Sequence, residues 1–96
     1  MLRFLVTLQV TNFDALQRFE SEAALIMADH GARIVEAMEI ENNPDGSGIE
    51  VHLLEFPDQQ AFIAYRDDVR FAALRELRAS AISATGIQTV LKDKTY

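Results

Sequence analysis

Leu2 to Val10 alternates, with Leu2, Phe4, Val6, Leu8 and Val10 on one side and Arg3, Leu5, Thr7 and Gln9 on the other. A period of two in β-forming residues predicts a strand. The period changes at Thr11-Asn12-Phe13-Asp14, where Asn12 suits a helix cap and Asp14 the positive first turn. Leu16, Phe19, Ala23, Ile26 and His30 then recur at steps of three and four, the buried stripe of a helix. Gly31 sits where a left-handed residue ends such a helix, giving it about 18 residues.

Arg33 to Glu41 alternates again, Ile34, Glu36, Met38 and Ile40 against Val35, Ala37, Glu39 and Glu41. Acids on both faces predict an edge strand guarded against further pairing. Asn42 to Gly48 is the densest turn signal in the chain and predicts a hairpin. Ile49 to Phe56 follows, apolar on both faces over its second half, as a covered central strand would be. Pro57 stops it, and Asp58 opens a helix in which Ala61, Phe62, Tyr65 and Val69 share a face. Asp67-Asp68 interrupts that helix, and either acid suits the cap of a second segment through Phe71, Leu74, Leu77, Arg78, Ala81 and Ile82. Gly86 is expected to end the helical region, with a last strand from Ile87 to Lys92.

The order β-α-β-β-α-β predicts one α+β domain over residues 1–96, a ferredoxin-like two-layer sandwich on an antiparallel sheet. The first and third strands, the most apolar, take its centre. Helices cover one face. The other is expected to present Leu5, Val35, Ala37, Leu54 and Phe56 with Thr7 and His52, an apolar surface that predicts a homodimer through the sheet face. Phe56→Asp is expected to break that dimer.

Composition narrows the function classes. With 49% hydrophobic residues and no cysteine, the 96-residue chain must be held by packing or by a partner chain. Thiol nucleophiles and thiolate metal sites are excluded. Neither a signal peptide at Met1-Leu2-Arg3-Phe4 nor a membrane-spanning run is expected, so a cytoplasmic location is. The net charge is −6, with three arginines against eight acids in residues 1–48. Arg66, Arg70, Arg75 and Arg78 are interleaved with Asp67, Asp68 and Glu76, which argues against a nucleic-acid surface.

Few residues carry chemistry. His52, mid-strand, suits a general base near neutral pH, or an interface histidine satisfied across a two-fold. Glu55, at the strand end, suits a buried base facing the helices, or a cap for the next helix. Tyr65 offers a phenol, and Arg78 beside the apolar stripe a guanidinium for a carboxylate ligand; packing and ion pairing are the alternatives for these and for Arg66. His30 and His52 lie on separate elements without metal-ligand spacing, so neither metal nor cofactor is expected. His30, at a helix end, reads as a surface group favoured by the dipole.

Val51-His52-Leu53-Leu54-Glu55-Phe56-Pro57-Asp58, followed by Ala61, Tyr65, Phe71, Leu74 and Arg78, resembles domain-of-unknown-function family thirteen-thirty. That pattern is a strand ending in Glu-Phe-Pro, a helix with an aromatic near its end, a Ser-Pro-Glu-Tyr-like step and a later helical arginine. Here the step reads Asp67-Asp68-Val69-Arg70-Phe71, without Ser or Pro. The resemblance implies a dimeric α+β barrel, in a superfamily of cofactor-free monooxygenases, haem-degrading enzymes, isomerases and proteins of no demonstrated activity. The expected function is binding of a small organic molecule between sheet and helices, with cofactor-free catalysis; the alternative is a non-catalytic dimeric accessory module. Haem handling rests on the superfamily alone, with no helix-borne proximal histidine to support it.

Overall fold

The computed structural model describes residues 1–96. Its elements run β1 (Leu2–Val10), α1 (Phe13–Asp29), β2 (Arg33–Asn42), β3 (Gly48–Phe56), α2 (Gln59–Arg66), α3 (Val69–Ala72), α4 (Arg75–Ala81) and β4 (Ile82–Thr89). The four strands form one antiparallel sheet in the order β2-β3-β1-β4, the ferredoxin-like arrangement with β1 and β3 central.

Local chemistry sets the helix ends. Asn12 accepts from the amide of Ala15 at 3.0 Å and starts α1. Gly31, at φ +72°, ends it: its amide donates to the Ala28 carbonyl and that of Ala32 to Met27, the paired bonds of a left-handed helix stop. Asp58 caps α2 through the Ala61 amide at 2.8 Å, and Asp68 caps α3 through the Arg70 amide at 2.9 Å. At Gly48 even a methyl side chain would lie 1.9 Å from the Glu41 carbonyl oxygen, so the hairpin closes only on glycine.

The register decides which side chains meet the helices. Opposite residues of an antiparallel pair share a face. Val6 faces His52, Phe4 faces Leu54 and Leu2 faces Phe56, so the inward set of β1 takes these three residues of β3 inward with it. That corrects three expectations. His52, Leu54 and Phe56 face the helices; Phe56 is fully buried, with ring centroids 6.0 Å from Phe4, 5.3 Å from Phe62 and 5.6 Å from Tyr65. Glu55 faces away from the helices beside Arg3 and pairs with Arg33 at 3.3 Å; the cap of the next helix is Asp58 instead. Asp at Phe56 would charge the core rather than the outer face. The reason is that β3 is apolar on both faces, and a one-residue change of phase exchanges them.

Two bulges in β2, between Ile34 and Glu36 and between Glu39 and Glu41, shift its phase as well. Ala37 pairs with the inward His52, whereas Met38 pairs with the outward Val51. The bare face therefore carries Leu5, Met38, Ile49, Val51 and Leu53 with Thr7, of which Leu5 is 37% and Met38 43% exposed. Nothing covers it in the single chain, whose 17 Å thickness holds one sheet and one helical layer.

The last strand also differs from expectation. It begins at Ile82, directly after α4, and Gly86 lies within it opposite Thr7. The amide of Thr11 donates to the Ala81 carbonyl at 2.8 Å, stitching the helix-to-strand switch to the end of β1. His30 is half-buried rather than a free surface group, its Nε2 2.9 Å from Asp68 Oδ2. No helix is long and apolar enough to cross a membrane.

Candidate functional site

A cavity of about 430 Å³ lies between the sheet and the helical layer. Val6 and Leu8 of β1, Leu54 of β3, and Ile82 and Ile87 of β4 form its apolar floor. Phe19 of α1, Phe62 of α2 and Phe71 of α3 close it from above. The pocket forms because the run from Pro57 to Ala81 breaks into three short helices instead of one. Asp68 caps the start of α3, and Phe62 and Phe71 line the space beneath.

Polar groups enter this apolar space at few points. Tyr65 of α2, Arg66, Arg75 and Arg78 of α2 and α4, Thr85 of β4, His52 of β3 and Glu20 of α1 all line it. Of the four residues singled out from sequence, His52, Tyr65 and Arg78 are brought together here, and Glu55 lies on the opposite sheet face.

Tyr65 is buried against Phe56 and Phe71, and its hydroxyl makes no hydrogen bond within the chain. Burial, with Glu20 near it, pushes its ionisation well above the ordinary tyrosine range, so the phenol stays a proton donor. Arg78 Nη2 donates to Thr85 Oγ1 at 2.7 Å and pairs with no carboxylate. Arg75 is exposed and also unpaired. Arg66 differs: it lies beside Asp67 at 3.4 Å, with its guanidinium carbon 5.9 Å from the centre of the Phe62 ring. In a chain of net charge −6, two arginines facing an apolar cavity without an acid partner are conspicuous.

His52 is 3% exposed and is not solitary. Its Nε2 lies 2.5 Å from Glu50 Oε2, two residues back on the same strand face, and its Nδ1 lies 4.0 Å from Glu20 Oε1. A carboxylate only accepts, so Nε2 donates to Glu50, while Nδ1 stands beyond hydrogen-bond reach of Glu20. Glu20 forms no hydrogen bond with the rest of the chain. Burial pushes its carboxyl above the ordinary glutamate value, against the opposing pull of His52.

Sequence reasoning missed Glu20, Glu50 and Arg75. Glu20 stands four residues after Leu16 and three before Ala23, within the buried stripe of α1, so its spacing carried the signal. The spacing Glu50-x-His52 on a strand carried the second. The side chains form no group of three or more His, Asp or Glu residues placed to hold a metal ion.

Among solved structures, three illustrate the likeness. An uncharacterised NIPSNAP domain protein from Burkholderia xenovorans has 15% identity and a TM-score of 0.72 over 97% of this chain and 95% of its own. A Dabb family protein with a ferredoxin-like fold from Mesorhizobium loti has 16% identity and a TM-score of 0.65, covering 97% of each chain. SnoaB, a cofactor-independent oxygenase from Streptomyces nogalater, has 12% identity and a TM-score of 0.68 over 98% of this chain and 94% of its own. At these identities the likeness is one of fold, the ferredoxin-like arrangement. No curated protein matches the chain in sequence. The model of the domain of unknown function DUF1330 matches residues 4–90, nearly the whole chain, and the protein belongs to that family.

Proposed function

We propose that the protein is a homodimer that binds a small, mainly apolar organic anion or phenol in the cavity between sheet and helices and transforms it without a cofactor. One observation carries this reading: the guanidiniums of Arg75 and Arg78 have no acid partner, and with the unbonded Tyr65 hydroxyl they face an apolar space of about 430 Å³. Such a space suits a molecule of roughly drug-fragment size, its body on the aromatics and its charge on the arginines. Arg78 takes the carboxylate or phenolate, because Thr85 already holds its guanidinium in place. Tyr65 donates to a second oxygen.

The dimer follows from the uncovered sheet face, where Leu5 and Met38 are 37% and 43% exposed around Val51 and Leu53. Packing two such faces about a two-fold removes both from water. The fold shared with dimeric α+β barrel proteins supports this, and SnoaB is an instance of that fold in a cofactor-independent oxygenase.

Comparison of wild type with Arg78→Ala and Tyr65→Phe tests the ligand reading, by calorimetric titration of an aromatic carboxylate series. Weakened binding in both variants with unchanged circular dichroism supports it. Unchanged binding in both favours a non-catalytic dimeric module instead.

A further inference from the structure

Glu20 is the single carboxylate lining the main cavity, yet it also lines a second cleft of about 280 Å³, beside Asp14, Gln17, Glu39 and Glu50. His52 lines the main cavity, with Nδ1 toward Glu20 at 4.0 Å and Nε2 against Glu50 at 2.5 Å, and Glu50 lines the second cleft with Glu20. The three side chains thus stand together where the ligand cavity and the acidic cleft adjoin. Burying an imidazole and half-burying two carboxylates beside it is costly unless their charges serve one another.

We propose that Glu20 is the proton acceptor of the cavity, that His52, held in place by Glu50, takes the proton from it, and that the substrates are small apolar oxo acids interconverted with their enols or double-bond isomers. This deepens the ligand reading above and rests on it. The carboxylate of the substrate sits on Arg75 and Arg78, which leaves its carbonyl oxygen to the Tyr65 hydroxyl. The carbon–hydrogen bond next to that carbonyl breaks, and the proton goes to a Glu20 oxygen. Its electron pair becomes the new carbon–carbon double bond while the carbonyl π pair moves onto oxygen. Tyr65 and Arg78 meet the enolate charge as it develops. Return of the proton to that oxygen, or to another carbon of the conjugated system, completes the exchange. No electrons leave the substrate, so no oxidant, reductant or co-reactant is required.

Glu20 is fitted to this task by its surroundings. Burial raises its proton affinity above that of an ordinary glutamate, with His52, Glu50, Arg78 and Tyr65 the ionisable groups around it. His52 restores it: a rotation of the Glu20 carboxyl brings it to Nδ1, and the imidazolium so formed is held by Glu50. Glu50 touches no substrate and is a positioning residue, fixing which ring nitrogen accepts.

Exchange of the enolisable protons of phenylpyruvate and of ketoisocaproate in heavy water, followed by proton NMR beside a calorimetric binding titration, tests this. The expected result is enzyme-accelerated exchange that falls by about a hundredfold or more in Glu20→Gln, with binding intact. Glu50→Gln should lower the exchange turnover while leaving KM unchanged, a split that loss of packing alone would not give. Binding without exchange above the solvent background overturns the proton-transfer inference and leaves the ligand reading standing, as does exchange undiminished in Glu20→Gln. Binding of neither probe overturns both.

Discussion

Nη2 of Arg78 donates to Oγ1 of Thr85 at 2.7 Å, fastening the rim of α4 to the edge strand β4 above an apolar floor. The bond spends one guanidinium donor and leaves the others for an anion. Removing Arg78 should therefore act on binding more than on folding. Arg78→Ala is expected to weaken an aromatic carboxylate by about 1.5–3 kcal/mol, more than tenfold in Kd, as loss of a charged hydrogen bond does. Thr85→Val should weaken it less, because the charge remains and only its placement loosens. Calorimetric titration of the three proteins gives the order.

Phe56 anchors the core rather than the dimer. Its ring is fully buried among Phe4, Phe62 and Tyr65. Phe56→Ala is expected to cost about 3–5 kcal/mol in urea unfolding, the usual range for emptying such a site. A loss below about 1 kcal/mol would contradict this packing.

The outer face should behave in the opposite way. Leu5 stands opposite Leu53 at the middle of the bare sheet and is 37% exposed in the single chain. Leu5→Asp places a charge where the partner's sheet would pack, and is expected to give a folded monomer by analytical ultracentrifugation. A dimer of unchanged stability would place the interface elsewhere.

A second electrostatic device joins the helices. Asp68 accepts from Arg70 and from His30 Nε2, and these bonds hold its carboxyl far below the ordinary aspartate value of 3.8. Arg70 reaches on to Asp29, tying the end of α1 to the start of α3. A depressed folded value stabilises the protein above the unfolded one and is lost as pH falls through the folded value. Asp68→Asn keeps a competent helix cap while removing the charge. Its deficit in unfolding free energy should be full at pH 6 and shrink as the pH drops below about 4. A deficit independent of pH would assign Asp68 to capping alone.

Glu20 should show the reverse sign. Burial raises its carboxyl above the ordinary value of 4.5, so the protonated form favours folding, and that contribution is lost as pH rises through the raised value. Glu20→Gln is expected to be at least as stable as wild type at pH 8, with the gain vanishing below about pH 4, where both states are protonated. His52 and Arg78 oppose this shift and Glu50 adds to it, so the gain should grow in a His52→Asn background. A Gln variant less stable at every pH would mean that Glu20 serves the fold.

The ends of α1 were legible in the sequence because their causes are local: Asn12 caps within three residues, and Gly31 alone accepts the left-handed turn. The strand order was legible from the difference between β1, β3 and the acid-bearing β2. The facing of β3 was not, since Leu53, Leu54 and Phe56 fit either side and only pairing with β1 chooses. The start of β4 was hidden because no turn residue separates Ala81 from Ile82, while Gly86 resembles a helix terminator. In the candidate site, Tyr65 and Arg78 showed through their helical spacing after Pro57. Glu20 was masked by its apolar neighbours on α1. His52 was assigned to the wrong face, for the same reason as Phe56.

Native mass spectrometry of protein purified without a metal column reads the dimer and its ligand together. The expected result is a dimer carrying a small organic adduct, or taking up an added aromatic carboxylate, with both forms of retention lost in Arg78→Ala. A monomer that retains nothing, or an adduct held equally by Arg78→Ala, would contradict it.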